Sequence, residues 1–280
     1  MNKSSFGSHF TVTTWGESHG KALGAVIDGC PAGLSLSEED IQKFLDRRKP
    51  GQSRYTTARK EGDLVEILSG VFEGKTTGTP ISLMVRNTDQ RSRDYGNIAY
   101  SYRPGHADYT FDAKYGFRDY RGGGRSSGRE TIGRVASGAV ASRLLASLGI
   151  SFCTYTKSIG PVSIKEFNPE EINNNAFYMP DADAAAKAGI YLEECMKNQD
   201  SAGGVIECRI SGVPAGLGNP VFEKLDAMLS QAVMSVGAVK AAQIGDGIQV
   251  AHMKGSEDND GFLIKDNVIT KASNHAGGIM

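Results

Sequence analysis

One octapeptide pattern occurs twice in the chain. "IDGCPAGL" spans residues 27–34 and "ISGVPAGL" spans 210–217, so both read I-x-G-x-P-A-G-L. Each follows a stretch patterned as a strand and precedes one patterned as a helix. Two readings fit. One is recurrent turn chemistry, because glycine and proline punctuate turns in any fold. The other is a duplicated strand-turn-helix unit that gives two pseudo-equivalent halves. The strands would then form antiparallel pairs with helices packed on them, an α+β layout. No low-charge linker splits the 280 residues, so a single domain over 1–280 is expected.

The surrounding pattern supports that layout. "HFTVTTW" (9–15) and "ALGAVIDG" (22–29) read as strands joined by the turn "GESHG". Ser37 offers an N-cap for a helix over "EEDIQKFLDRRK", which Pro50-Gly51 ends. "LVEILSGVF" (64–72) and "PISLMVR" (80–86) read as a strand pair. The clearest helix runs from Glu130. Its apolar face carries Ile132, Val135, Ala136, Ala139, Val140, Leu144, Leu145 and Leu148, and Gly149 stops it. A helix over 184–198, a strand over 204–210 and a long helical stretch from near Pro220 follow.

Charge narrows the function. The formal net charge is -1 and the pI about 6.5, which is not the basic excess of a dedicated nucleic-acid binder. Local basic clusters therefore point to a small anion. Cys30, Cys153, Cys195 and Cys208 show no C-x-x-C pair, and no signal pattern opens the chain. They read as reduced thiols of a cytoplasmic protein. No apolar run approaches the roughly 18 residues of a membrane span. The histidines show no H-x-x-x-H spacing, so no zinc site is expected.

Four stretches could carry chemistry. "RGGGRSSGRE" (121–130) sets bare backbone between arginines before the long helix, with Ser127 and Glu130 spaced as a capping box. Such a helix entrance suits an anion, phosphate best. "RRKPGQSRYTTARK" (47–60) gathers Arg47, Arg48, Lys49, Arg54, Arg59 and Lys60, able to grip phosphate or carboxylate. "GESHG" (16–20) fits the G-x-S-x-G nucleophile elbow, a serine-hydrolase reading through Ser18, but a strand rather than a helix follows it. It leaves His19 in a tight turn. "YRPGHADYTFDAKYG" (102–116) places Arg103, His106 and Asp108 around a Pro-Gly turn, with Tyr102 and Tyr109 as an aromatic clamp. Histidine beside arginine suits general acid work on a polyanionic small molecule.

These residues resemble one family. "GESHGKALGAVIDGCP", "DRRKPGQSRYTT", "RPGHADYT", "FRDYRGGGRSS", "GGGRSSGRETIGRVASGAV" and "SNHAGGI" are similar, in order, to chorismate synthase signatures. The resemblance implies a β-α-β sandwich with a helical layer between antiparallel sheets, assembled as a homotetramer. It implies trans-1,4 elimination of phosphate from 5-enolpyruvylshikimate 3-phosphate to give chorismate, with reduced FMN and no net redox change. It implies that His19 protonates the leaving phosphate and His106 the reduced flavin. Arg48, Arg54, Arg103 and Arg129 would hold the substrate's phosphate and carboxylates. Arg125, Ser126, Ser127, Gly237, Ala238 and Gly278 would contact FMN. Arg48 and Arg54 would also meet NADPH where a member reduces its own flavin. The sequence ends at "NHAGGIM", without the family's K-P-T loop and R-H-D-P motif. The resemblance therefore implies weak FMN binding and little activity for this 280-residue form. The alternative is a non-catalytic flavin- or phosphate-binding fragment.

Overall fold

The strands read at 9–15 and 22–29 form a hairpin. In the computed structural model of the chain, which describes residues 4–56, 61–88 and 99–279, β1 is Ser5–Phe6, β2 Thr11–Gly16 and β3 Ala22–Asp28. β2 pairs antiparallel with β3, Thr11 opposite Asp28 and Gly16 opposite Leu23. α1 (Glu38–Arg48) follows, capped by Ser37, whose side chain accepts the Asp40 amide. β4 (Val65–Ser69), the short hairpin strands β5 (Val71–Phe72) and β6 (Lys75–Thr76), and β7 (Ile81–Arg86) come next. The main sheet is antiparallel, in the order β1-β2-β3-β7-β4.

Strand alternation sorts this sheet into two faces. Leu23, Ala25 and Ile27 of β3 and Ile81, Leu83 and Val85 of β7 are buried on one of them. Against that face pack Ile41 and Leu45 of α1 and Ile132, Ala136, Ala139 and Val140 of α3 (Thr131–Ser147). Cutting one such large aliphatic side chain to alanine would cost about 2–5 kcal/mol. The apolar face of α3 outruns its cover, for Leu148 is 66% exposed.

The second sheet has the order β10-β8-β9, from β8 (Ser151–Ile159), β9 (Val162–Ser163) and β10 (Gly204–Ser211). α4 (Ala182–Lys197), capped by Asp181, packs on β9 around Met179, Ala184, Ala185 and Ala188. α3 packs on β3 of the first sheet, and its C-terminal end leads into β8 of the second. Between β7 and α3 lies α2 (Asp108–Tyr115).

The chain divides into two compact units, Met1–Val213 and Pro214–Met280. The second holds α5 (Leu225–Met234), α6 (Gly255–Asp258) and the hairpin β11 (Phe262–Lys265) and β12 (Val268–Lys271). The long helical stretch expected from Pro220 is only ten residues, because glycines at 237, 245 and 247 interrupt the pattern. No described helix is long and apolar enough to cross a membrane.

The repeated octapeptide is a repeated structure. Gly29 and Gly212 directly follow β3 and β10 and have φ of 81° and 79°. Gly33 and Gly216 have φ of 86° and 95°. A Cβ on Gly29 would lie 1.7 Å from the His9 carbonyl oxygen, two residues before β2. One on Gly212 would lie 2.1 Å from the Gly149 carbonyl oxygen, two residues before β8. Both turns thus press bare backbone on the start of the partner strand, a contact open only to glycine. General turn chemistry does not require that shared contact, whereas a duplicated antiparallel pair followed by a helix does.

Candidate active site

The β2–β3 turn is tied down from outside. Asn87, just past β7, donates from Nδ2 to the carbonyls of Glu17 (3.1 Å) and Gly20 (2.7 Å), and from its backbone amide to Lys21 O (3.1 Å). Between those carbonyls sit Ser18 and His19, both buried, with Ser18 Oγ 3.2 Å from His19 Nδ1. From the other side, Arg125 spans the end of β2. It donates to Gly16 O (3.0 Å), Thr14 O (3.1 Å) and Thr14 Oγ1 (2.7 Å). Strand ends that would fray are thereby fixed by amide and guanidinium donors.

The glycine stretch has a different use from the one its composition suggests. A Cβ on Gly122 would stand 2.2 Å from both Cε1 and Nδ1 of His19. One on Gly123 would stand 2.7 Å from His106 Cε1 and 2.8 Å from its Nε2. Successive Cα atoms are about 3.8 Å apart, so one dipeptide serves as a shelf for both histidine rings. The bare backbone that reads as an anion cradle is bare first because imidazoles rest on it.

His106 is held at Nδ1. Asp108 Oδ1 lies 2.9 Å away and Arg103 Nη2 3.2 Å away. The carboxylate favours a proton on Nδ1 and the guanidinium favours its lone pair, so the ring meets one partner in each protonation state. Nε2 is left as the nitrogen for proton exchange with a ligand. Asp108 is nearly fully buried at the start of α2 and accepts both Nε and Nη2 of Arg103 at 2.8 Å. That paired guanidinium, working against burial, holds the Asp108 carboxyl far below the usual carboxylate range. Arg118 bonds Asp112 and the Ser101 carbonyl (3.0 Å) and lies over Tyr102, whose ring meets Tyr109 at 5.5 Å. The expected aromatic clamp is present. Asp119 is likewise held low, chiefly by its hydrogen bond from Arg121, and a charged His19 adds to the effect.

The arginines form a second cluster. Arg129 is 5% exposed, with Nη2 3.1 Å from Asp63 Oδ1 and 3.9 Å from Glu61 Oε1. Arg48 Nη1 reaches the other Asp63 oxygen at 2.5 Å, and its Nε donates to Thr131 Oγ1 at 3.1 Å. Asp63 therefore sits between the two guanidinium groups, in the left-handed region at φ 46°. Arg129 Nε also donates to Asn87 Oδ1 at 3.0 Å. Contacts thus run unbroken from Arg48 through Asp63, Arg129 and Asn87 to the His19 turn, and across Gly122-Gly123 to His106 and Arg103.

Some expected residues stand elsewhere. Arg54 is exposed, bonded to Glu193 of α4 and to Tyr55 Oη. Arg59 and Lys60 lie outside the described residues. The capping box is not formed. Ser127 Oγ accepts the Arg129 amide (3.3 Å), while Glu130 accepts Thr14 Oγ1 and Arg134 Nε, both at 2.8 Å. Those neighbours outcompete the Ser127 backbone for the carboxylate, and α3 begins at Thr131. Ser126 and Ser127 border the shelf in sequence. Gly237, Ala238 (φ 69°) and Gly278 (φ 72°) belong to the second unit.

Sequence reasoning missed Asn87, Glu61 and Asp63. Each is a lone polar residue beside a strand, ordinary in sequence. Only the long-range contacts reveal what it binds.

An α+β fold that sets two histidines on one backbone shelf beside arginine clusters gathers the groups that acid–base chemistry on an anion requires. Known proteins make that more specific. The chorismate synthase family profile matches residues 10–280. A chorismate synthase of Agathobacter rectalis is 64% identical over the whole chain, which spans 77% of that relative. One of Chloroflexus aurantiacus is 54% identical with the same coverage. A chorismate synthase crystal structure superposes with a TM-score of 0.81 at 33% identity, covering 97% of this chain and 81% of that one. The chain belongs to the chorismate synthase family, whose members are lyases.

Proposed function

We propose that the protein eliminates phosphate from 5-enolpyruvylshikimate 3-phosphate to form chorismate, with reduced FMN bound. The observation that carries the proposal is the Gly122-Gly123 shelf, which sets two differently held histidines on adjacent glycines. His19, whose Nδ1 lies 3.2 Å from Ser18 Oγ, protonates the departing phosphate. Arg48 and Arg129, braced by Asp63, neutralise the charge that builds on the leaving group. Arg103 is held in place by Asp108 to meet a substrate carboxylate.

The residues around the shelf fit a flavin. Gly124 is bare, left-handed backbone where a Cβ would meet nothing closer than Glu17 Cγ at 3.9 Å, and Ser126 and Ser127 follow as hydroxyl donors. Arg125 borders them with its guanidinium anchored on β2. Reduced FMN would supply the electronic chemistry that no side chain provides. His106 would hold or move a proton at Nε2 on that side, with Asp108 stabilising the charged ring. A homotetramer is the proposed assembly. Phe262, Ile264, Val268 and Ile269 on the β11–β12 hairpin are 65–80% exposed, apolar surface that an assembly would cover.

The test is phosphate release by His19→Ala and His106→Ala in the protein expressed from its natural gene. Each should slow turnover by about 10²–10⁴-fold. Rates within a few-fold of the unsubstituted protein would contradict the proposal.

A further inference from the structure

We infer that Asn87 is a positioning residue that fixes the His19 turn and Arg129 relative to each other. The inference rests on the reading of His19 as the acid and Arg129 as an anion-holding group. Asn87 is 9% exposed and uses every polar group except its carbonyl. Its Nδ2 donates on both sides of the Ser18-His19 pair, its Oδ1 accepts Arg129 Nε, and its backbone amide bonds Lys21 O. The amide orientation has one solution, because two partners are carbonyl oxygens and the third is a guanidinium donor.

Among side chains of this size only asparagine does both jobs. Aspartate has the same shape and would still accept from Arg129. It would also set a carboxylate oxygen where Nδ2 now lies 2.7 Å from Gly20 O and 3.1 Å from Glu17 O, oxygen against oxygen. Alanine loses both links. Glutamine adds a methylene to a filled site. Arg129 is also engaged by Asp63 and Glu61, and the His19 turn is also held by its own strands, by Arg125 at Gly16 O and by the Gly122 backbone. The Asn87 amide bridges them directly, and its hydrogen-bond partners are site groups rather than core. Its role is therefore to keep the proton donor of the leaving group and the cation beside it in one geometry.

Two measurements test this. The first uses ligand-free protein and the ring signals of His19 and His106 in NMR spectra, assigned with His19→Ala and His106→Ala. In both Asn87→Ala and Asn87→Asp the His19 signals should move or broaden, and the His106 signals should stay, since Asp108 and Arg103 hold that ring. The Asp variant keeps the side-chain volume, so it reports even if the Ala variant folds poorly. Unchanged His19 signals, or equal disturbance of both rings, would overturn the inference. The second is a double-mutant cycle on turnover. Asn87→Ala should cost about tenfold or more alone, yet at most about twofold in the His19→Ala background. Equal losses in both backgrounds would overturn the coupling. Should the substrate assignment itself be wrong, turnover fails for every variant while the NMR comparison still decides the role of Asn87.

Discussion

Gly122 and Gly123 show how much one missing methyl group can decide. A methyl on Gly122 enters the His19 ring and one on Gly123 enters the His106 ring, and both residues also have positive φ, at 66° and 102°. Gly122→Ala and Gly123→Ala should each lower turnover by about tenfold or more, because a small displacement of a catalytic group is costly. Gly138→Ala is the contrast. It lies in α3 with open space around its Cα, and it should leave turnover unchanged while raising stability by up to about 1 kcal/mol. Steady-state rates and thermal melts check all three, and full activity in Gly122→Ala would contradict the shelf. The sequence makes these glycines legible as bare backbone. It does not show what fills the gap, since residue 19 and residue 122 meet only through the fold.

At the scale of elements, local rules were readable where neighbours did not compete. Ser37 and Asp181 cap α1 and α4 as their side chains dictate. Ser127 and Glu130 have equally good spacing, yet Thr14 and Arg134 take the carboxylate. The turn over Ser273–Ala276 in the second unit gives a pH test of its own. Asp260 accepts Ser273 Oγ (2.7 Å) and the amides of His275 (2.8 Å) and Ala276 (3.1 Å). The Ser273 bond leads the effects that bring its carboxyl down to about 2. A lowered carboxyl contributes fully above the unfolded value near 4, and its contribution fades as pH falls below that and through the lowered value of about 2. His275 Nδ1 bonds Asp246 at 2.7 Å, which raises the imidazole above its ordinary value. A raised histidine contributes below about 6.5, and its contribution fades as pH rises through the raised value. The turn should therefore be held best between about pH 4 and 6.5. Intensities of the His275 and Ala276 amide signals across pH check this. Asp260→Asn should remove the acid limb and weaken the alkaline limb, since Asp260 also favours the charged imidazole, while Asp246→Asn should remove most of the alkaline limb and leave the acid limb; a flat profile in the unsubstituted protein would contradict the assignment.

For the whole molecule, the α+β class and the duplication were visible in one repeated octapeptide, because a left-handed glycine beside a strand end constrains the backbone directly. The two histidines and Arg103 were visible from chemistry and family signatures. Arg48 and Arg129 were visible as cations, but not as a pair braced by Asp63, since residues 48, 63 and 129 converge only when α1, the loop before β4 and the entrance to α3 pack. Arg54, from the same basic stretch, is exposed and bonds Glu193 of α4, a contact its sequence neighbours do not announce. The proposed reaction is an acid-assisted loss of phosphate that leaves the flavin's redox state unchanged. The most direct measurement is an anaerobic mass balance with 5-enolpyruvylshikimate 3-phosphate, catalytic reduced FMN and the protein expressed from its natural gene. Chorismate and phosphate should form in equal amounts over many turnovers, with the flavin still reduced at the end. Oxidation of one flavin per product, or phosphate released without chorismate, would contradict it.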